Sequence, residues 1–135
     1  MTFDIEMENF QFKARLVANG NETGTPASLT YASVVSRESV RISLTIAALN
    51  DLEVKTSDIE NAHSTAPTEE KLHTKLRPEF GEDEGKTAVT VRALHGTKSA
   101  GASFQNHLAD CMLHLGHESC KADPDVWIKE FNNRN

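Results

Sequence analysis

An α+β fold, with a mixed or antiparallel sheet and two main helices packed on it, is predicted by three features of the sequence. Short runs alternate apolar and polar residues between turn formers, as strands do. Two longer stretches, residues 37–50 and 99–115, carry apolar residues at helical spacing. Their order, β-α-β-β-β-α-β, is too irregular for a wound parallel sheet. With 135 residues, 38% of them hydrophobic, the chain is long enough for a single core, and no repeat or domain-scale linker divides it.

Residues 1–9 read as an N-terminal tail. In residues 10–18, Phe12, Ala14, Leu16 and Val17 interleave with Lys13 and Arg15 before a break at Asn19-Gly20-Asn21, which makes a strand with basic residues on one side. Gly, Thr, Ser and Pro26 then form a loop over residues 20–30. Ser36 is placed to cap a helix from about Arg37 to Asn50, with Glu38 near the positive end of its dipole. Val40, Leu44, Ala47 and Ala48 fall on one face, and Ile42, Ile46 and Leu49 on the other, so both faces of this helix are expected to be covered.

A strand over residues 52–57 follows, whose alternation places Val54, Thr56 and Asp58 on one face and delivers Asp58 where the strand leaves the core. A turn at residues 65–70, a short strand at 71–76, a break at Pro78 and a solvated charged turn at 82–86 come next. Val89, Val91 and Ala93 alternate with Thr90 and Arg92 in a further strand that ends at Gly96. The second helix, residues 99–115, has Phe104, Leu108, Cys111, Met112 and Leu115 on its apolar face and Gly116 as its stop. Asp123-Pro124-Asp125 turns the chain into a last strand at 126–129, with Trp127 and Phe131 closing the core and 132–135 a polar tail.

A net charge of −6 argues against nucleic-acid or membrane binding by bulk electrostatics, because such proteins are usually basic. Any nucleic-acid contact must be local. No apolar run is long enough to span a bilayer, and the N-terminus is acidic where a secretory signal is basic and then apolar. The expectation is a soluble intracellular protein without a membrane partner, its two cysteines reduced.

Five segments in order resemble the reverse transcriptase (RNA-dependent DNA polymerase) of copia-type LTR retrotransposons. Phe12-Lys13-Ala14-Arg15-Leu16-Val17-Ala18-Asn19-Gly20 is similar to its fingers strand, K-A-R-L-V-A-x-G. Tyr31-Ala32-Ser33-Val34-Val35-Ser36 and the helix after it resemble the entry to the palm. Ser57-Asp58-Ile59-Glu60-Asn61-Ala62 resembles D-V-x-x-A-aromatic, and Ala93-Leu94-His95-Gly96-Thr97-Lys98-Ser99 resembles A-L-Y-G-L-K-x-S. Leu115-Gly116 and the run Lys121-Ala122-Asp123-Pro124-Asp125-Val126-Trp127 resemble L-G-F/Y-x-x-C-x-A-D-P.

The resemblance implies a partial fingers/palm domain at residues 10–131 and two-metal nucleotidyl transfer in the intact family. It implies that Asp58, the catalytic acid, and the Ile59 carbonyl hold Mg2+ or Mn2+. Lys13 and Arg15 would face the incoming triphosphate and His63 would lie under the sugar. His95 would sit beside the nucleotide, with Lys98 and Arg92 toward nucleic acid. The implied partners are an RNA or DNA template-primer, a dNTP and the rest of a retrotransposon polyprotein, in a cytoplasmic virus-like particle or the nucleus.

Departures point to a degenerate copy. His63, His95 and His117 stand where the family usually has an aromatic residue and Thr97 where it has Leu, and the Y-x-D-D hairpin is absent from these residues. A fragment inactive by itself is therefore expected. Two other readings remain open. One is a non-catalytic module that contacts nucleic acid or polymerase through Lys13, Arg15, Arg92 and Lys98. The other is a small zinc-binding domain through His107, Cys111, His114, His117 and Cys120, since zinc accepts imidazole nitrogen and thiolate sulfur.

Overall fold

The computed structural model describes residues 2–6, 11–20, 23–27, 30–68 and 70–130, with side chains from residue 16 onward. Parts of the expected N-terminal tail and of the loop at 20–30, together with Phe131 and the polar tail at 132–135, lie outside the described residues. The elements confirm an α+β chain. In order they are β1 (Thr2–Glu6), β2 (Gln11–Arg15), α1 (Arg37–Leu49), α2 (Ala62–Thr65), β3 (His73–Lys75), a 3-10 helix (Pro78–Asp83), β4 (Thr87–Val89), α3 (Ala100–His114), β5 (Glu118–Ser119) and β6 (Trp127–Ile128). They fall into two compact units, Met1–Tyr31 with Asn61–Phe104, and Ala32–Glu60 with Gln105–Asn135.

In the first unit, β1 and β2 form an antiparallel pair with Thr2 opposite Arg15 and Asp4 opposite Lys13. The strand β1 falls in the stretch read as a tail, although Phe3 and Ile5 alternate with Asp4 and Glu6 there. Strands β3 and β4 form a second antiparallel pair, His73 opposite Val89. A lone bridge joins Pro67 to Arg92. The core of this unit consists of Ala66, Ala93 and Ala100, with Phe104 packed against it. Such small side chains let backbones approach closely but bury little apolar area.

In the second unit, α1 starts where the capping signal places it. Ser36 is extended (φ −68°, ψ 148°) and its hydroxyl accepts the Ser39 amide at 3.0 Å. We expect Ser36→Ala to lower stability by about 1 kcal/mol, as loss of a serine cap does, measurable by urea unfolding. The helix closes with Asp51 in the left-handed region (φ 51°) and the Leu52 amide donating back to the Ala47 carbonyl at 2.9 Å. This is a Schellman-type ending. Helix α3 ends in the same way, with Gly116 at φ 80° and the His117 amide donating to the Met112 carbonyl at 2.9 Å. The Lys129 ammonium also reaches the Leu115 carbonyl at 2.7 Å, and β5 pairs with β6 beyond the turn.

Three expectations about the second unit need correction. No residue of α1 is buried, and its large apolar side chains from Val40 to Leu49 are 41 to 80% exposed, so neither face is covered among the described residues. Periodicity predicts the helix but not what packs on it. Residues 52–57 form no strand. They are exposed, and Glu53 pairs with Lys55 at 3.3 Å. Alternation makes a strand only when a neighbouring strand accepts its hydrogen bonds. Finally, Cys111, expected on the apolar stripe of α3, is exposed, as is Leu115.

Candidate functional site

In the first unit the chain brings residues of two separate motifs together. Asn61 adopts a left-handed conformation (φ 52°), which asparagine tolerates better than most residues, and so turns the chain into α2 and aims His63 inward. The turn after β4 presents His95. The two imidazoles meet edge to face, with centroids 4.6 Å apart and planes at 80°, and the Phe104 ring lies 6.1 Å from His63, also edge to face. Burial, and secondarily the neighbouring His95, hold the His63 pKa below its ordinary value of 6.5. Its Nδ1 is buried without a hydrogen-bond partner among the described residues.

The turn carrying His95 is clamped to the exit of β2. The Ala18 amide donates to the His95 carbonyl at 2.7 Å, and Gly96, at φ 89°, passes so close that a Cβ there would lie 2.1 Å from the Ala18 carbonyl oxygen. Lys98 is exposed and its ammonium donates to the Thr23 carbonyl at 3.0 Å. Arg92, also exposed, donates to the Thr65 carbonyl at the end of α2, at 2.7 Å. Ser99 is buried and its hydroxyl donates to the Glu70 carboxylate at 2.5 Å. A cleft of about 480 Å3 opens beside these turns, lined by Leu16, Val17, Leu76, Phe80 and Leu94 with Lys75 and Arg77 among the polar groups. Lys13 and Arg15 belong to β2, but their side chains lie outside the described residues.

The second unit holds Asp58 and Ile59 in the irregular segment after α1, both exposed. An exposed carboxylate beside a peptide carbonyl offers two hard oxygen donors. That donor type suits magnesium, which keeps several waters and takes one or two carboxylates together with substrate phosphates. The five residues of the zinc reading also lie in this unit, and they do not make a site. His107 and His117 are half-buried, Cys111 and His114 exposed, and the hairpin fixes Cys120, whose amide donates a hydrogen bond to the Val126 carbonyl at 2.8 Å. Among the described residues, no group of three or more His, Cys, Asp or Glu side chains is placed to hold a metal ion.

The residue that sequence reading missed is Asp123. It is buried and accepts the Ser39 hydroxyl at 2.6 Å, the Ser36 amide at 2.9 Å and the Asp125 amide at 3.1 Å. The last of these is an Asx turn, which an Asp-Pro-Asp sequence favours and which was the available signal. Gln105 extends the network by donating to Asp125 at 2.7 Å and to the Ser33 hydroxyl. These donors, the Ser39 hydroxyl foremost, lower the Asp123 pKa from 3.8 to about 2. Because the folded value lies below the unfolded one, the carboxylate stabilises the second unit fully above pH 3.8, and the contribution disappears as pH falls through about 2. In acid titrations followed by amide exchange at Ser36 and Ser39, we expect protection to fall across that window and Asp123→Asn to abolish the dependence.

Comparison with known proteins gives a consistent result. The family model described as reverse transcriptase (RNA-dependent DNA polymerase) matches residues 2–135. A Retrovirus-related Pol polyprotein from transposon TNT 1-94 of Nicotiana tabacum is 30% identical over 130 residues, which is 93% of this chain and 10% of that polyprotein. The corresponding polyprotein from transposon RE1 of Arabidopsis thaliana is 25% identical over 122 residues, 87% of this chain and 8% of its own length. The chain thus spans about a tenth of the length of these relatives. No solved structure matches significantly. Among the described residues no helix is long and apolar enough to cross a membrane. With the motifs in family order and the family model matching nearly every residue, the chain belongs to the reverse transcriptase family of retrotransposon Pol polyproteins.

Proposed function

We propose that these residues are the fingers and first-carboxylate part of an RNA-directed DNA polymerase, with an RNA or DNA template-primer and dNTPs as partners, and that they do not polymerise by themselves. The observation that carries the reading is the contact between His63 and His95. These side chains come from the two motifs that, by resemblance, flank the nucleotide, and they meet within one compact unit beside a cleft with Lys75 and Arg77 on its wall. In this reading His63 lies under the sugar and His95 beside the nucleotide. Lys13 and Arg15 face the triphosphate, and Lys98 and Arg92 approach the nucleic acid.

Asp58 and the Ile59 carbonyl are proposed as ligands of Mg2+ or Mn2+, which when bound would neutralise phosphate charge and activate the primer hydroxyl. Two donors are a partial set. The chain has one tyrosine, Tyr31, followed by Ala32-Ser33-Val34 rather than an acid pair, so no second carboxylate motif of the Y-x-D-D type is present within it. Primer extension on an RNA template with millimolar Mg2+ or Mn2+ tests this part. The 135-residue chain is expected to give no incorporation above background, and incorporation that disappears with Asp58→Asn would show that the chain is not inert.

A further inference from the structure

We propose that the His63–His95 ring pair is an acid-sensitive latch: while the His63 imidazole is neutral the pair holds α2 against the turn after β4, and proton uptake by His63 releases that turn and the Ala18 segment clamped to it. The inference goes beyond the polymerase reading and does not require it.

The geometry places the pair at a junction. His63 is carried by α2, whose end leads directly to Ala66, a core alanine with 0% exposure. Ala93, on the far side, donates its amide to the Ala66 carbonyl at 2.9 Å, and two residues later His95 places its ring against His63. The His95 carbonyl in turn receives the Ala18 amide. A displacement of either ring therefore pulls on two backbone hydrogen bonds that close the unit.

The charges around the pair give the latch its direction. His95 is the titratable group that acts electrostatically on His63, and Phe104, facing from α3, supplies no compensating charge. Arg92 brings a guanidinium to the end of α2 at Thr65. Lys98 lies on the same turn as His95, and the Glu70 carboxylate is engaged by Ser99. A proton arriving on His63 thus meets a second imidazole, and its buried Nδ1 has no acceptor among the described residues. An added Nδ1 proton would be a buried donor without a partner, which costs more than leaving the nitrogen bare.

The pH window follows from the lowered His63 pKa. Below 6.5 the unfolded chain takes up the proton before the folded unit does. Stability of the first unit is therefore full above 6.5, falls as pH drops below it, and levels off below the folded value. The Asp123 network in the second unit keeps its carboxylate charged down to about pH 2, so near pH 5 the two units are expected to behave differently.

The test is amide hydrogen exchange on the full chain between pH 7.5 and 5, corrected for intrinsic rates, with histidine titration followed by NMR in the same samples. Protection at Ala18 and Ala93 is expected to fall as His63 titrates, by at most about tenfold per pH unit for one proton, while Ser36 and Ser39 stay protected. His63→Phe keeps an aromatic ring without a titrating nitrogen and should flatten the profile. If that variant does not fold, the wild-type comparison decides: a fall in Ala18 protection that begins near pH 6.5 and levels off where folded His63 titrates supports the latch. Constant protection across the range, or a fall that does not track His63, overturns it, as does an unchanged fall in His63→Phe.

Discussion

Gly96→Ala is expected to destabilise the first unit by at least about 2 kcal/mol, because two costs add at one atom. A non-glycine residue in a left-handed conformation stores about 1 to 3 kcal/mol of backbone strain, and φ here is 89°. The new Cβ would also stand 2.1 Å from the Ala18 carbonyl oxygen and 2.9 Å from Val17 Cγ1. The first of these neighbours is backbone, held by the Ala18 to His95 hydrogen bond, so relief requires breaking the clamp, and overpacking of this kind adds about 1 to 3 kcal/mol. Gly24→Ala is the control. Nothing lies within 4 Å of a Cβ there, and its effect should stay within about 0.5 kcal/mol. Urea unfolding of the two variants distinguishes a clamped turn from a merely flexible one. The Gly in the A-L-Y-G-L-K-x-S resemblance thus has a physical reason at this position.

The second large effect is expected at Asp58. Asn is nearly the same size as Asp but carries no charge, so Asp58→Asn removes an anionic oxygen donor while leaving the backbone and the Ile59 carbonyl in place. The side chain is exposed and no described hydrogen bond depends on it, so folding should change by less than about 0.5 kcal/mol. Activity in a complete polymerase should respond very differently. Metal ions supply several kcal/mol to the transition state, and at about 1.4 kcal/mol per factor of ten loss of one carboxylate ligand should cost at least about a hundredfold. A neutral effect on stability with a large effect on turnover is the signature of a ligand. A structural residue would move both.

Much of the helical part of the fold was legible because the signals are local. Ser36 and Glu38 announce the start of α1, and Gly116 the end of α3, through hydrogen bonds made within a few residues. Strands were less legible because pairing is not local. Residues 52–57 alternate as well as β1 does, yet β1 finds β2 across a short connection and residues 52–57 find no partner among the described residues. Burial was the least legible property. The spacing of Val40, Leu44 and Ile46 says that a helix would be amphipathic or buried, and cannot say which neighbours reach it.

Within the candidate site, chemistry was legible and geometry was not. His63 and His95 were singled out from separate motifs, but nothing in the sequence gives an edge-to-face contact or an unpartnered nitrogen. The spacing of His107, Cys111 and His114 on one helix was compatible with zinc, but spacing does not converge side chains, and no group of three or more such residues is placed to hold a metal among the described residues. Asp123 read as a turn residue because its Pro is a strong local signal. Its bonds to Ser36 and Ser39 span most of the chain and leave no local trace.

The most direct measurement is primer extension on an RNA template by a chimera in which residues 1–135 replace the matching stretch of the tobacco transposon polyprotein. It should carry His63→Phe and His95→Tyr to restore the aromatic residues of the family. Asp58→Asn in that background is predicted to lower incorporation at least about a hundredfold without changing the folded yield. Incorporation that is indifferent to Asp58→Asn, or a folded chimera that incorporates nothing with Asp58 in place, would contradict the assignment of this chain as the first-carboxylate part of the polymerase.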